Sequence, residues 1–300
     1  LTAGLGTRLR PLTDRRAKPA IPVAGEPMIR RILAWTARHG VTDVVMNLHH
    51  QPHTITAVVG EGRDLGVRAR YSWEVPRILG SAGGPRLALP IVGAATFFVI
   101  NGDTLTDVDL SQMADAHRRS GALITLALVP NRDFTRYGGV QVDDQGVITG
   151  FVPRGPTANG SWHFIGVQVV EGSVFSTIPA GEKASSIGGV YDRLLNDPRL
   201  PVRGYCGDWQ FFDVGTPDDY LRTTLAFTTA GSDVGRHATI DAAARVTRSV
   251  LWDDVEVGPG ASLTECIVTD GVRVPAGAVY ERAIVMADGD QLMITPIESH

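Results

Sequence analysis

Apolar residues in the first two thirds of the chain follow two spacings. Ile29, Ile32, Leu33 and Trp35 recur at helical intervals, with Pro27 suited to a first helical position and Gly40 to a stop. Shorter continuous runs lie between the helical ones. Residues 41–48, 96–100 and 122–129 read as strands, the second apolar throughout, as a central parallel strand should be. Residues 140–142 and 147–152 flank the turn signal at 143–146 and predict a hairpin. Residues 217–227 read as a closing helix, and Leu1-Thr2-Ala3 as the last part of a buried strand. Strands alternating with amphipathic helices over 1–230 predict an α/β layer fold.

Beyond about residue 232 the pattern becomes a repeat. Ile240, Val257 and Val274 open three stretches of 17 residues whose apolar positions align. Val246, Leu263 and Tyr280 form one column, Val250, Ile267 and Ile284 a second, and Leu251, Val268 and Val285 a third. Ala244, Ala261 and Ala278 are identical, and small residues such as Gly258-Pro259-Gly260 take the corners. Period-six apolar positions within such a repeat predict a hexapeptide β-helix whose coils bury their inward residues on one another. The expected division is a domain of residues 1–231 and a β-helix of residues 232–300.

Composition narrows the function classes. Of 300 residues, 43% are hydrophobic and 20% charged, with net charge −4, an ordinary globular balance without the basic excess of a nucleic-acid binder. No apolar run reaches the roughly 18–20 residues of a membrane span, and no signal peptide is read. Cys206 and Cys266 lie too far apart in sequence to suggest a disulfide framework, which fits a reducing cytoplasm.

The candidate chemistry begins in Gly4-Leu5-Gly6-Thr7-Arg8-Leu9-Arg10-Pro11-Leu12-Thr13, followed by Lys18-Pro19. Paired glycines let backbone N–H groups turn inward around phosphate oxygens, and Arg8 and Lys18 add cationic charge. Only two of the 28 basic residues, Lys18 and Lys183, are lysines, so a lysine beside this loop asks for a chemical reason. A compact ammonium approaches one phosphate oxygen as a point charge, which a guanidinium fork does not. Leu9 stands where a dinucleotide fingerprint needs glycine, and no Gly-Lys-Ser/Thr follows, so NAD and P-loop chemistry are set aside.

Two acidic residues end apolar segments. Asp103, in Asn101-Gly102-Asp103-Thr104, follows the strand at 96–100, where open α/β sheets place their ligands. Gly102 allows close approach of a polyphosphate. Asp213 ends an apolar segment before the helix at 217–227. Either could instead cap a helix, as Asp109 is placed to do. Together they suit one Mg²⁺, which takes few protein carboxylates and completes its shell with water and phosphate oxygens. His49, His50 and His53 read as a polar loop at a strand end rather than a zinc site.

The opening loop with Lys18-Pro19, Leu79-Gly80-Ser81-Ala82-Gly83-Gly84, Asn101-Gly102-Asp103 and Asp213-Val214-Gly215-Thr216-Pro217 resemble, in order and spacing, the sugar-1-phosphate nucleotidyltransferases over nearly the whole chain. The resemblance implies a Rossmann-like nucleotidyltransferase domain with a mostly parallel central sheet, followed by a short left-handed β-helix. It implies an NTP and a sugar 1-phosphate as substrates. Arg8 would meet the departing β/γ-phosphates, and Lys18 the α-phosphate region and the sugar phosphate. Leu1, Ala3, Gly4, Gly6, Thr7 and Gly102 would line the nucleotide, Gly80 and Gly83 would shape the nucleobase pocket, and Asp103 and Asp213 would hold the catalytic Mg²⁺. Gly139, Arg154 and Gly166 would meet the sugar phosphate. The segment at 79–84 looks closest to the mannose-1-phosphate guanylyltransferase branch, which points to GTP; a uridylyltransferase for a glucose- or muramic-type phosphate is the alternative.

The pattern departs from the family at the sugar. Pro153-Arg154-Gly155 stands where Glu-Lys-Pro is common, so Arg154 takes the place of a lysine with different geometry. Phe164-Ile165-Gly166 stands where Asn-Ala-Gly is common, a pattern similar to the branch acting on N-acetylmuramic acid 1-phosphate. A non-catalytic nucleotide-sugar-binding subunit and a β-helix acyltransferase are the rival classes. The first sits badly with an intact Arg8, Lys18, Asp103 and Asp213 set. The second sits badly with a tail whose only histidine after His237 is His300. The sequence does not set the oligomeric state; repeat domains often stack on one another, so the β-helix is the surface through which a homo-oligomer would form.

Overall fold

The computed structural model describes every residue except Pro198, Leu200, Ser299 and His300, so His300 lies outside the described residues. The chain packs as two compact units, one of Leu1–Leu5 with Ile29–Phe212, the other of Gly6–Met28 with Asp213–His300.

The first unit is built from strands β1 (Asp43–Leu48), β2 (Arg68–Trp73), β3 (Thr96–Ile100), β4 (Thr104–Thr106), β5 (Ile124–Pro130), β6 (Gly139–Val142), β7 (Ile148–Val152), β8 (Trp162–Glu171), β9 (Val202–Cys206) and β10 (Phe211–Asp213), whose last residue belongs to the second unit. Its longer helices are α1 (Met28–Arg38), α2 (Pro52–Val59), α3 (Gly80–Val92) and α4 (Leu110–Ser120). Helix α1 buries Ile29, Ile32, Leu33 and Trp35, the stripe expected from the spacing. It begins at Met28 because Pro27 closes a two-residue strand.

A six-stranded sheet runs in the order β9-β5-β8-β6-β7, with β3 also on β8. β1 and β2 pair in parallel, as do β5 and β9. β8 runs antiparallel to both β3 and β5. β3 pairs antiparallel with β8 and also meets residue 1 in a parallel-bridge pattern, the Leu1 amine donating to the Ile100 carbonyl and the Gly102 N–H to the Leu1 carbonyl. The expected hairpin is present as β6 and β7, with Asp143 Oδ1 accepting from the Gln145 and Val147 N–H groups in the turn. Ile124, Leu126, Leu128, Val170, Phe175 and Val202 are among its core, each worth roughly 1.5–3 kcal/mol on burial.

In the second unit the 17-residue columns pair in parallel and in register. Ile240, Val257 and Val274 stack, as do Val246, Leu263 and Tyr280, and Leu251, Val268 and Val285. Leu251, Val257, Leu263 and Val268 lie in the core of the β-helix, whereas Ile240, in the first coil, stays 39% exposed. The antiparallel strand Gln291–Pro296 pairs with Ala283–Asp288 of the last coil. Corners at 248, 265 and 282 hold Arg, Glu and Arg with positive φ, a conformation that costs a non-glycine residue roughly 1–2 kcal/mol. Glu265 bridges the other two at 3.0 and 2.9 Å, so the column carries a charge ladder. No helix of the described residues is long and apolar enough to cross a membrane.

Candidate active site

In the first unit, residues 1–3 are held at the ends of two strands. The Thr2 N–H donates to Asn47 Oδ1 at 2.7 Å, and the Gly102 N–H to the Leu1 carbonyl at 2.8 Å. Thr2 and Ala3 are buried, whereas Gly4 is exposed and faces open space. Asn47 passes the connection on, its Nδ2 donating to Glu74 Oε1 at 2.7 Å. Glu74 Oε2 accepts the Leu79 N–H at 2.6 Å, at the start of α3. Glu74 is fully buried, and a carboxylate so placed depends on these donors to offset its desolvation.

The glycines of the segment at 79–84 answer to packing. Gly80 has φ +78°, and a Cβ there would lie 2.7 Å from the Ala184 carbonyl oxygen; at Gly83 it would lie 2.3 Å from the Glu182 carbonyl oxygen. Both distances are far inside van der Waals contact with backbone, so any side chain must move the segment at 182–184. The Ala82 N–H and the Ala184 N–H lock the two segments together at 3.0 and 2.9 Å.

Asp103 sits in the turn between β3 and β4. The Asn101 N–H donates to the Gly166 carbonyl at 2.8 Å. Gly166 has φ +80°, and a Cβ there would lie 2.5 Å from Asn101 Nδ2 and 2.7 Å from Thr104 Oγ1. This glycine therefore belongs to the same corner as Asn101-Gly102-Asp103. The register of β8 against β5 slips between Phe164 and Gln168, and that bulge places Gly166 there. Gly139 packs elsewhere, against Ser161, and Arg154 is exposed. A cavity of about 320 Å³ nearby is lined by Tyr137, His163, Trp209 and Phe211, with Asn131 and Arg132. The Tyr137 and His163 rings are 4.1 Å apart and Phe211 lies 5.3 Å from His163.

In the second unit, Gly6 has φ +60°, and a Cβ there would strike the Thr13 methyl at 2.6 Å. The Thr13 hydroxyl returns a hydrogen bond to the Gly6 carbonyl at 2.9 Å, closing the loop. Thr7 and Arg8 are exposed on the turn Thr7–Leu9 while Leu9 is buried beneath. Lys18, 9% exposed, opens the turn Lys18–Ala20. Arg8 and Asp213 meet around Gly215: a Cβ there would be 3.1 Å from Asp213 Oδ2 and 3.4 Å from Arg8 Nη1.

Neither expected metal ligand is consumed as a helix cap. Asp109 caps α4 through the Gln112 N–H, and Thr216 caps the helix Pro217–Ala226 in a capping box with Asp219. Asp103 belongs to the first unit and Asp213 to the second. Among the described residues no group of three or more His, Cys, Asp or Glu could hold a metal ion, and His49 Nδ1 lies 2.8 Å from the Glu74 carbonyl oxygen. Sequence reasoning missed Glu74, because a lone Glu before a Pro-containing loop carries no periodic signal. It also missed the aromatic cavity, although Tyr137 precedes Gly138 and Gly139 in the motif.

A family model described as Nucleotidyl transferase matches residues 1–230, and one described as GlmU-like, C-terminal hexapeptide, matches residues 228–285. The mannose-1-phosphate guanylyltransferase of Mycobacterium tuberculosis is 33% identical over 295 residues, spanning 94% of this chain and 82% of that protein. The UTP–glucose-1-phosphate uridylyltransferase of Synechocystis sp. is 30% identical, spanning 96% and 79%. The crystal structure of HddC from Yersinia pseudotuberculosis complexed with GMP-PN shares the fold, with TM-score 0.63 at 21% identity over 76% of this chain and 97% of that one.

Proposed function

Because this chain belongs to the nucleotidyl transferase family and is a sugar-1-phosphate nucleotidyltransferase, we propose that its substrates are GTP and mannose 1-phosphate. The observation that carries this choice is the 33% identity to a mannose-1-phosphate guanylyltransferase across 94% of the chain, β-helix included. The similarity of Leu79-Gly80-Ser81-Ala82-Gly83-Gly84 to the same branch supports it.

An oxygen of the sugar phosphate attacks the α-phosphorus of the NTP in line. The new P–O bond forms as the bond to the β-phosphate bridge breaks, and pyrophosphate leaves with the electron pair. The nucleophile is already anionic, so no side chain has to remove a proton. What the chain supplies is position and charge. Lys18, held nearly buried, offers an ammonium to the α-phosphate region, and the exposed Arg8 guanidinium takes the β/γ-phosphates. Thr7 and the glycines 4, 6 and 102 offer backbone to the nucleotide, and Arg154 and Gly166 meet the sugar phosphate, while Gly139 shapes the wall it packs against at Ser161. Asp103 and Asp213 are the carboxylates that would hold Mg²⁺, an ion that needs few protein carboxylates and would neutralise charge on the triphosphate.

The test is a matrix of four NTPs against a panel of hexose 1-phosphates, read by pyrophosphate release. The largest kcat/KM is expected for GTP with mannose 1-phosphate. An optimum at UTP with glucose 1-phosphate would replace that pair by the alternative.

A further inference from the structure

We infer that Arg16, Trp252 and Asp270 are positioning residues for the transfer reaction, through which the β-helix holds the loop that carries Lys18. The inference rests on the reading that Lys18 meets the substrate phosphates.

Residues 6–28 contain little regular structure: three single turns and a two-stranded ribbon of two residues each. Such a segment cannot fix an ammonium by itself, and a point charge is useful only where it is placed. Its anchors come from the β-helix and the helix before it. Two residues ahead of Lys18, the Arg16 guanidinium donates to Asp270 Oδ2 at 2.7 Å and lies 5.0 Å over the Trp252 ring. Arg15 donates to the Ala287 carbonyl. On the other side of Lys18, the Pro22 carbonyl accepts the Tyr220 hydroxyl at 2.7 Å, and the Gly25 N–H donates to Asp233 Oδ2 at 3.2 Å.

These anchors are joined to one another. Trp252 is 1% exposed and its indole N–H donates to the Tyr220 oxygen at 2.8 Å. Burial pushes the Tyr220 hydroxyl far above its ordinary range, so it stays protonated and keeps donating to Pro22. Asp270 Oδ1 accepts the Asp253 N–H of the neighbouring coil at 3.2 Å. A flat cation that stacks on an indole and pairs with a carboxylate is a task for Arg and not for Lys.

Asp270 adds little to fold stability by itself: burial pushes its carboxyl up, Arg16 only partly offsets this, and its side chain stays 36% exposed. Its service is to Arg16.

The experiment uses the full chain, with Asp270→Asn, Arg16→Ala and Arg16→Lys, and Lys18→Met as reference. Amide hydrogen exchange across residues 14–24, Tm, and kcat and KM for GTP and for mannose 1-phosphate are measured. The clamp predicts faster exchange at 14–24 in Asp270→Asn and Arg16→Ala, with Asp270→Asn no less stable than wild type at pH 7. It predicts kcat/KM for GTP lower by about tenfold in both, with only partial recovery in Arg16→Lys. Unchanged exchange at 14–24, or a fall in Tm with kinetics intact, would overturn it. If Lys18→Met turns over GTP like wild type, the role given to Lys18 fails instead, and the exchange data still judge the clamp.

Discussion

The two units weight their motif residues differently, with Asp103 the charged exception in the first and the close-packed Gly6 the glycine exception in the second. In the first, Gly80, Gly83, Gly139 and Gly166 are each hemmed in by protein atoms between 2.2 and 2.7 Å from where a side chain would begin. Their glycines make shape. In the second, Arg8, Lys18 and Asp213 are side chains whose value is charge, gathered on the loop of residues 6–28 and around Gly215. A motif letter therefore says nothing by itself about whether a position builds the site or acts in it. How closely protein atoms crowd the position of a Cβ separates the two.

The largest break in this contrast comes from the metal. Chelation by EDTA is expected to abolish pyrophosphate release and added Mg²⁺ to restore it, with the fold unchanged by circular dichroism. Release that continues in EDTA would remove Asp103 and Asp213 from the charge-bearing set. Asp103→Asn and Lys18→Met come next, each expected to lower kcat/KM about 10²–10³-fold, the loss seen when one preorganised charge-stabilising group is removed. Stability should move little in either variant.

Gly83→Ala sharpens the other half. A methyl 2.3 Å from the Glu182 carbonyl oxygen forces the backbone apart, for about 1–3 kcal/mol of stability by chemical denaturation. If the variant is as stable as wild type and loses only nucleotide affinity, Gly83 serves the base rather than the packing. The smallest effect lies in the corner ladder. Hydrogen bonds from Arg248 and Arg282 hold the Glu265 carboxyl below its usual 4.5. Its contribution is present above that value and lost as pH falls through the lowered one, so Glu265→Gln should flatten the acid limb of Tm against pH only slightly.

Legibility followed what repeats. The β-helix was readable because each coil buries the same columns, and Val257, Leu263 and Val268 announce it at fixed spacing. The polar column of Arg248, Glu265 and Arg282 has the same spacing and was passed over, since charge at a corner looks like any solvated face. Helix α1 was readable to within a residue. The direction of β8 was not, because an apolar run such as residues 96–100 records burial and not polarity of pairing. Within the site, Asp103, Arg8 and Lys18 stood out by chemistry, whereas Glu74 and the Arg16–Asp270 pair depend on partners 27 and 254 residues away in sequence from the groups they bind.

The most direct test measures kcat/KM for GTP and Tm side by side in Lys18→Met and Gly139→Ala. The division of labour predicts that Lys18→Met loses turnover at nearly unchanged Tm, while Gly139→Ala loses Tm first. Full turnover by Lys18→Met, with activity instead tracking the stability of the glycine variant, would contradict it.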